Sequence, residues 1–240
     1  MKILIILSFL FFSINIFGQN VQIDTLKIIL SERINDLNST QMNYPIIRTG
    51  DKKIDSLINY DLKNKVTLNE MPTSSIDSTI NEWASYGVVS FDFDVNYNKN
   101  GILSLKINGE GCGAYCETWS NYYNYSTING KALKLSDILE LEYLKEDIYS
   151  RKSEQYKKNR KELKQQLEVD EGLDLRTYNF ILERYNECDS SFQIDEFALF
   201  NDRIEIIENC YMIHALRAAM PFINIQYKLS DIKEYLIIKN

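Results

Sequence analysis

The segment GEGCGAYCETWSNYYNY, residues 109–125, gathers the residue types of this chain that could do chemistry. Its two cysteines, Cys112 and Cys116, could hold a metal ion, act as a redox pair or form a disulfide. A structural zinc site takes four cysteine or histidine ligands. This chain has one histidine, and the Cys-x-x-x-Cys spacing is not repeated. The sequence therefore favours a disulfide over a metal site.

Two further cysteines, Cys188 and Cys210, bring the total to four. An even number of cysteines in an exported chain most simply forms disulfides, and four cysteines allow three pairings. We favour Cys112 with Cys116, because this pair can close across a local turn. Cys188 then pairs with Cys210, and the two flank a hairpin predicted at residues 197–207. The pattern predicts no metal and no cofactor.

Aromatic side chains follow Cys116 on a predicted strand. Alternation puts Tyr122 on one face and three aromatic residues on the other, namely Trp119, Tyr123 and Tyr125. Exposed aromatic rings can stack on sugars or contact a protein partner, whereas buried rings belong to the core. The sequence leaves both interpretations open, so all four are candidate ligand-binding residues.

His214, the only histidine, could serve as a general base because histidine titrates near neutral pH. No motif such as G-x-S-x-G or S-x-x-K supplies a nucleophile for it. Asp92 and Asp94 share a strand face, but their predicted cross-strand neighbour Lys106 favours a salt bridge over a glycosidase pair. No catalytic residue is predicted. A secreted hydrolase with an unfamiliar site around His214 stays as the alternative function.

Residues 1–18 are typical of a secretory signal peptide, because Lys2 precedes a largely apolar run over 3–12 and the small Gly18 follows. The run is shorter than the roughly 20 residues of a membrane-spanning helix, and no later segment approaches that length. We therefore expect an exported chain, periplasmic or extracellular, with no transmembrane helix after cleavage. Cleavage removes Lys2 and moves the formal net charge from -7 to -8, which disfavours nucleic-acid binding and favours cationic partners.

Periodic hydrophobicity predicts both helices and strands. Helices are expected over residues 51–66 with Asp51 as N-cap, 75–84, from Ser136 toward Leu167, 175–185 and 230–236. Strands are expected at 23–30, 44–47, 89–97, 103–107, 117–127, 197–200, 204–207 and 222–227. Because strands and helices occur in runs, the predicted fold class is α+β, mainly antiparallel sheet packed with helices.

The segment YGVVSFDFDVNYNKNGILSLKING predicts a β-hairpin whose first strand alternates apolar and polar residues. A three-residue loop over 99–101 would set up four pairs: Tyr97 with Leu103, Val95 with Leu105, Phe93 with Ile107 and Asp94 with Lys106. A shift by one residue would place aspartates against apolar residues, so the alternation selects this register.

We divide the chain into an N-terminal helix-and-strand subregion, 19–110, and a C-terminal sheet-and-helix subregion, 111–240, in one compact unit. The second subregion carries a charged helical insertion near residues 151–168. Within it, RKSEQYKKNRKELK has seven basic and two acidic residues. Such a run could bind an anionic polymer, but it is more often the solvent face of a long helix. We expect an exposed helix that contributes little to folding.

The order of these segments resembles a family of bacterial extracytoplasmic domains of unknown function. Such domains form the outer, lysozyme-binding region of lysozyme-sensing anti-sigma factors and lie beside the catalytic domain of some peptidoglycan deacetylases. The resemblance runs from about Tyr44 to the C-terminus. The matching segments are YPII, KKIDSLINYDL, DVNYNKNGILSLKI, GAYCETWSNYYNYSTINGKALKLSDIL and CYMIHALRAAMPFINIQYKLSDIKEYL.

The resemblance implies one compact α+β unit without catalytic residues, because the similar proteins carry their chemistry or signalling in other domains. This chain departs from them in its extra cysteines, its charged insertion and the lack of a following transmembrane helix or deacetylase domain. Sensing and deacetylation therefore lose support. The hypothesis that remains is an exported non-catalytic binding module for a cell-envelope glycan or a cationic protein such as lysozyme.

Overall fold

The computed structural model describes residues 20–30, 41–69, 73–169 and 173–237, so the predicted signal peptide, residues 1–18, lies outside the described residues. The described residues form an α+β fold, as predicted. In chain order its elements are β1 (Gln22–Ile29), β2 (Gln41–Arg48), α1 (Lys52–Val66), α2 (Ile76–Ser85), β3 (Val88–Lys99), β4 (Ile102–Cys112), β5 (Cys116–Ser126), α3 (Leu141–Val169), α4 (Leu175–Ser191), β6 (Phe197–Leu199), β7 (Arg203–Asn209) and β8 (Phe222–Lys228). None of the helices in these ranges is both long and apolar enough to cross a membrane.

Side-chain caps start the first two helices, and the sequence predicts the first of these caps, Asp51. The carboxylate of Asp51 accepts hydrogen bonds from first-turn N–H groups of α1, and Ser75 caps α2 in the same way. Each helix then turns an apolar face inward, which buries Ile58 and Leu62 of α1 and Ile80 of α2. Local capping thus determines where both helices begin, and the burial of their apolar faces stabilises them.

The strands of the described residues form three antiparallel sheets, β1–β2, β3–β4–β5 and β6–β7–β8. The two faces of the central strand β4 contact different parts of the molecule. Leu103 and Leu105 point to a core shared with α1, α2 and the first sheet. Ser104 points the other way and accepts a hydrogen bond from the Leu199 N–H of β6 at 3.3 Å. The third sheet therefore packs over this second face, and α3 packs on β8 beyond it.

The turn of the β3–β4 hairpin differs from the predicted three-residue loop. Asn100 and Gly101 form a two-residue turn with φ values of 55° and 75°, which suits the right-handed twist of the strands. Tyr97 consequently does not pair with Leu103, so that predicted pair is wrong. A register shift just after Val95 compensates for the shorter loop and restores the other three predicted pairs.

The third helix begins later than predicted. Ser136 does not cap it but lies in a short 3-10 turn, Leu135–Asp137, and α3 starts at Leu141. The backbone between them bonds to the C-terminal segment instead, where the Glu140 N–H donates to the Tyr235 carbonyl at 2.8 Å. A tertiary contact thus replaces the first turn that local capping predicted.

The charged insertion is the second half of α3, and one face of it is buried. Tyr156 is fully buried and Leu163 nearly so, in a core shared with α4. The ammonium of Lys152 lies 2.7 Å from the Asp189 carboxylate of α4. The prediction of a wholly solvent-facing helix is therefore wrong on this face, although Lys157 is exposed as expected.

Both disulfides have the pairing that the sequence favours, Cys112 with Cys116 and Cys188 with Cys210. The first closes the turn between β4 and β5, whose end residues are register partners. The second ties α4 to the segment that follows β7. Glu110, at which we end the N-terminal subregion, lies inside β4, and β4 pairs with strands on both sides.

Candidate functional site

A cavity of about 720 Å³ opens beside β5, within the usual size range of ligand pockets. We call it the β5 cavity. Its walls come from the end of α1, from α2, from all three strands of the second sheet and from the chain around β6 and β7. The lining residues are Lys65, Val66, Thr67, Leu68, Trp83, Val88, Phe91, Ile107, Trp119, Asn121, Tyr122, Tyr123, Asp195, Glu196, Phe197, Ile207, Asn209 and Tyr211.

Trp119 is positioned by glycines on the neighbouring strand. Gly109 is its register partner on β4, and Gly111 lies two residues further along that strand. A Cβ atom on Gly109 would lie 2.2 Å from Cζ2 of the indole, and one on Gly111 would lie 3.5 Å from Cζ3. The indole thus lies against the backbone at Gly109, where a Cβ atom would overlap it, and is in van der Waals range of Gly111. This packing explains why the first residue of the GEGCG pattern is a glycine.

Three of the four candidate aromatics line the cavity. Trp119, Tyr122 and Tyr123 are each partly exposed there. Burial raises the pKa of Tyr123 to about 12, so its hydroxyl is protonated at neutral pH and can donate or accept a hydrogen bond. Tyr125 is fully buried in the core, opposite Leu103, and its candidacy as a ligand-binding residue is therefore wrong.

Tyr122 faces the other side of the sheet, as predicted, and lies in a row with Lys106 and Asp94. Burial raises its pKa, and the nearby carboxylates of Glu205 and Asp94 add to the effect. On this side a second cavity of about 310 Å³ shares Trp119, Tyr122 and three residues of the β7 region with the first. Space for a ligand therefore lies against both faces of β5.

The uncompensated charge at the β5 cavity is negative. Lys65 contributes a cation, but its ammonium lies 2.8 Å from the Asp61 carboxylate. Asp195 and Glu196 also line the cavity, and across the described ranges neither forms an ion pair with a basic side chain. Asp195 instead accepts the Leu135 N–H at 3.1 Å. Burial raises the pKa of Glu196. A cationic group in the cavity would find an acidic partner here.

The predicted aspartate pair takes no part in the cavity. Asp94 faces Lys106 in the register, as predicted, and also accepts a hydrogen bond from Asn108 at 2.8 Å. Asp92 accepts the Phe93 N–H at 2.8 Å. Both aspartates are exposed on the strand surface, which agrees with polar surface residues rather than a glycosidase pair.

The remaining candidates for chemistry are Cys112, Cys116 and His214. Glu110 lies close to the two sulfur atoms, but these are bonded to each other and offer no thiolate to a metal. His214 begins the 3-10 helix His214–Ala219 that follows β7. The hydrolase alternative around this residue stays a prediction.

Sequence reasoning missed several residues of the cavity, notably Trp83, Glu196 and Tyr211. Trp83 carried a usable signal, because it follows Ile80 on the inward side of a predicted amphipathic helix. Glu196 and Tyr211 lie at opposite ends of the predicted 197–207 hairpin, where the sequence indicates only loops.

Comparison with models of known protein families finds no match, and no curated protein matches the chain. Solved structures do match the chain. One is a DUF3298 family member from Bacteroides fragilis NCTC 9343, 16% identical with a TM-score of 0.50, covering 91% of this chain and 95% of that one. Another is a DUF3298 family protein from Pseudomonas aeruginosa PAO1, 13% identical with a TM-score of 0.47, covering 90% and 93%.

The Bacteroides fragilis structure, with its TM-score of 0.50, carries the comparison of folds. At such identities the likeness shows the fold alone. The resemblance to a domain family of unknown function is thus confirmed at the level of fold, whereas the relation to anti-sigma factors and deacetylases stays a prediction.

Proposed function

We propose that this chain is an exported, non-catalytic binding module that holds its ligand in the β5 cavity. The ligand is a cell-envelope glycan or a cationic protein such as lysozyme. One observation carries the proposal: both tryptophans of the chain, Trp83 and Trp119, line this cavity together with Tyr122, Tyr123 and Tyr211. Aromatic rings stack on sugars and supply much of the binding energy of protein interfaces.

Charge supports a cationic or neutral ligand over an anionic one. The chain carries a formal net charge of -7, and among the described residues that line the cavity only the carboxyl groups of Asp195 and Glu196 lack an ion-pair partner. The electrostatic field of the whole molecule and the two carboxyl groups at the cavity therefore both attract a cationic partner.

Export is supported by the disulfides and by the predicted signal peptide. Two disulfides pair all four cysteines of the chain, and such bonds persist in oxidising compartments such as the periplasm or the extracellular space. The proposed location follows from this chemistry.

The test uses residues 19–240 and the intrinsic fluorescence of the two tryptophans, which both report on the cavity. Soluble peptidoglycan fragments are titrated at low salt while emission is followed, and lysozyme is titrated by calorimetry. We expect saturable binding of at least one of these ligands. Trp119→Ala should weaken it by about tenfold or more, since a buried aromatic anchor contributes about 2 kcal/mol.

Tyr60→Ala is the matched control, because Tyr60 is 61% exposed on α1 and does not line the cavity. It should bind as the wild type does. If neither ligand binds, or if Trp119→Ala and Tyr60→Ala bind equally well, the proposal is refuted.

A further inference from the structure

The outer edge of β5 is partly open. On its inner edge β5 pairs with β4 in one continuous register. On its outer edge the Leu133 N–H donates to the Asn124 carbonyl and the Ser126 N–H donates to the Lys131 carbonyl, both at 2.8 Å. Because the register has no bulge, every even-numbered residue of β5 points its backbone groups outward, as Asn124 and Ser126 do.

Ser120 and Tyr122 therefore present their N–H and C=O groups to the outer edge. No residue in the described part of the chain bonds to these four groups. The edge is closed on either side of them, by residues 131–133 near Asn124 and by Arg217, whose guanidinium donates to the Thr118 carbonyl at 2.7 Å. An open stretch of strand edge is a template for another strand.

This open stretch borders space on both faces. Asn121 and Tyr123 line the β5 cavity on one face, and Tyr122 borders the second cavity on the other. Successive side chains of a strand point to opposite faces. An added strand would thus send alternate side chains into the two cavities while its backbone bonds to Ser120 and Tyr122. Sugars lack the regular alternation of donors and acceptors that this edge matches.

Resting on the proposed function above, we propose that the ligand is a protein and that an extended segment of it adds to the outer edge of β5. The segment carries a lysine or arginine that pairs with the carboxyl group of Glu196. Lys65, the one basic residue among the described residues that line the β5 cavity, already has a carboxylate partner in Asp61. Arg217 lines the second cavity and pairs with Glu117. Among the described residues, the β5 cavity therefore offers acidic groups without an ion-pair partner to a basic side chain, and its one basic group is already paired.

The first experiment selects peptides from a random phage-displayed octapeptide library on residues 19–240 at low salt. The best peptide is synthesised and titrated by tryptophan emission. Amide hydrogen exchange is then measured with and without it. We expect basic peptides, with protection appearing at the Ser120 and Tyr122 amides. Two versions of the peptide are then made, one N-methylated at its odd-numbered residues and one at its even-numbered residues. Only one version should lose binding, because only one edge of the added strand faces β5.

A matched pair of variants tests the edge from the protein side. Ser120→Pro removes the outward N–H, and proline is tolerated on an edge strand where that N–H has no partner. Ser120→Ala keeps the N–H. Both variants lose the same hydrogen bond from the Ser120 hydroxyl to Asn108. Ser120→Pro should weaken peptide binding about tenfold, as expected for a lost hydrogen bond of about 1.4 kcal/mol, and Ser120→Ala should not.

The outcomes separate this inference from the proposed function. If peptidoglycan fragments bind in the cavity and no peptide is selected, the module stands and strand addition is refuted. Strand addition is equally refuted if a selected peptide binds without protecting the two amides, or if both N-methylated series bind unchanged. If peptides, glycan fragments and lysozyme all fail to bind, the proposed function itself falls.

Discussion

At the scale of single residues, the position of Trp119 depends on the absence of a side chain at Gly109. The indole covers the glycine so closely that a Cβ atom would overlap it. A tryptophan on an edge strand would otherwise be free to turn into solvent. Gly109 thus shapes the binding surface through the indole that covers it.

We expect Gly109→Ala to displace the indole, to shift its fluorescence toward the red and to weaken ligand binding about tenfold. The stability cost should be about 1 kcal/mol, since a side chain rather than the backbone has to move. Gly113→Ala is the control, because a Cβ atom there meets nothing within 4 Å. Identical emission spectra for the two variants would contradict this account of the site.

Burial also raises the pKa of Glu208, and the neighbouring carboxylates of Asp189 and Glu196 add to the effect. Above pH 4.5, the ordinary value of the group, the unfolded chain has released this proton while the folded protein still binds it. This contribution to stability is therefore present at low pH and lost as pH rises through the raised pKa.

Glu208→Gln should accordingly make the free energy of unfolding less dependent on pH between 4.5 and neutrality. Urea unfolding at several pH values measures the slope. Glu154→Gln, on the exposed side of α3, serves as the control and should have the same slope as the wild type. A steeper slope in Glu208→Gln would overturn the assignment.

At the scale of secondary-structure elements, α3 contributes buried residues to the core from Leu144 to Leu163. Its first half packs on β8 and its second half on α4, where Lys152 and Arg160 both contact the Asp189 carboxylate at 2.7 Å. Lys152 is thus buried although the other lysines of this segment are exposed, and the lysine-rich sequence does not distinguish it from them.

Lys152→Ala should destabilise the protein by about 2 kcal/mol. It leaves Asp189 with one of its two cationic partners in a poorly hydrated position. Lys158→Ala should change stability by less than about 0.5 kcal/mol, because Lys158 is 76% exposed on the same helix. Denaturant midpoints compare the two. Equal losses would show that α3 contributes as a solvent-facing helix after all.

At the scale of the whole molecule, the Cys188–Cys210 disulfide joins α4 to the chain that leads from β7 to β8. It closes a separation of 22 residues, whereas Cys112–Cys116 closes 4. Replacing Cys188 and Cys210 by serine should therefore cost about 3 kcal/mol in the chain-entropy model, and replacing the other pair should cost less. Thermal unfolding of the two double variants decides the order, and a larger loss from the short loop would contradict it.

Local patterns were enough for much of the fold. The cap at Asp51 and the alternation along β3 follow from residues close together in the chain. The cysteine pairing follows because four cysteines allow three combinations. The β3–β4 loop already shows the limit of such reasoning. Its conformation and a compensating bulge near Asn96 decide together which residue faces Tyr97, and the alternation alone does not contain that bulge.

The features that matter for binding arise only from contacts between distant parts of the chain. Lys152 is buried because Asp189 lies against it from another helix, and Tyr125 is buried because α1 and the first sheet cover its face of β5. The β5 cavity joins residues from Lys65 to Tyr211. Hydrophobic periodicity shows which side of an element seeks a core. It does not show where two packed layers leave a gap or which strand edge stays open, since both depend on how whole elements fit together.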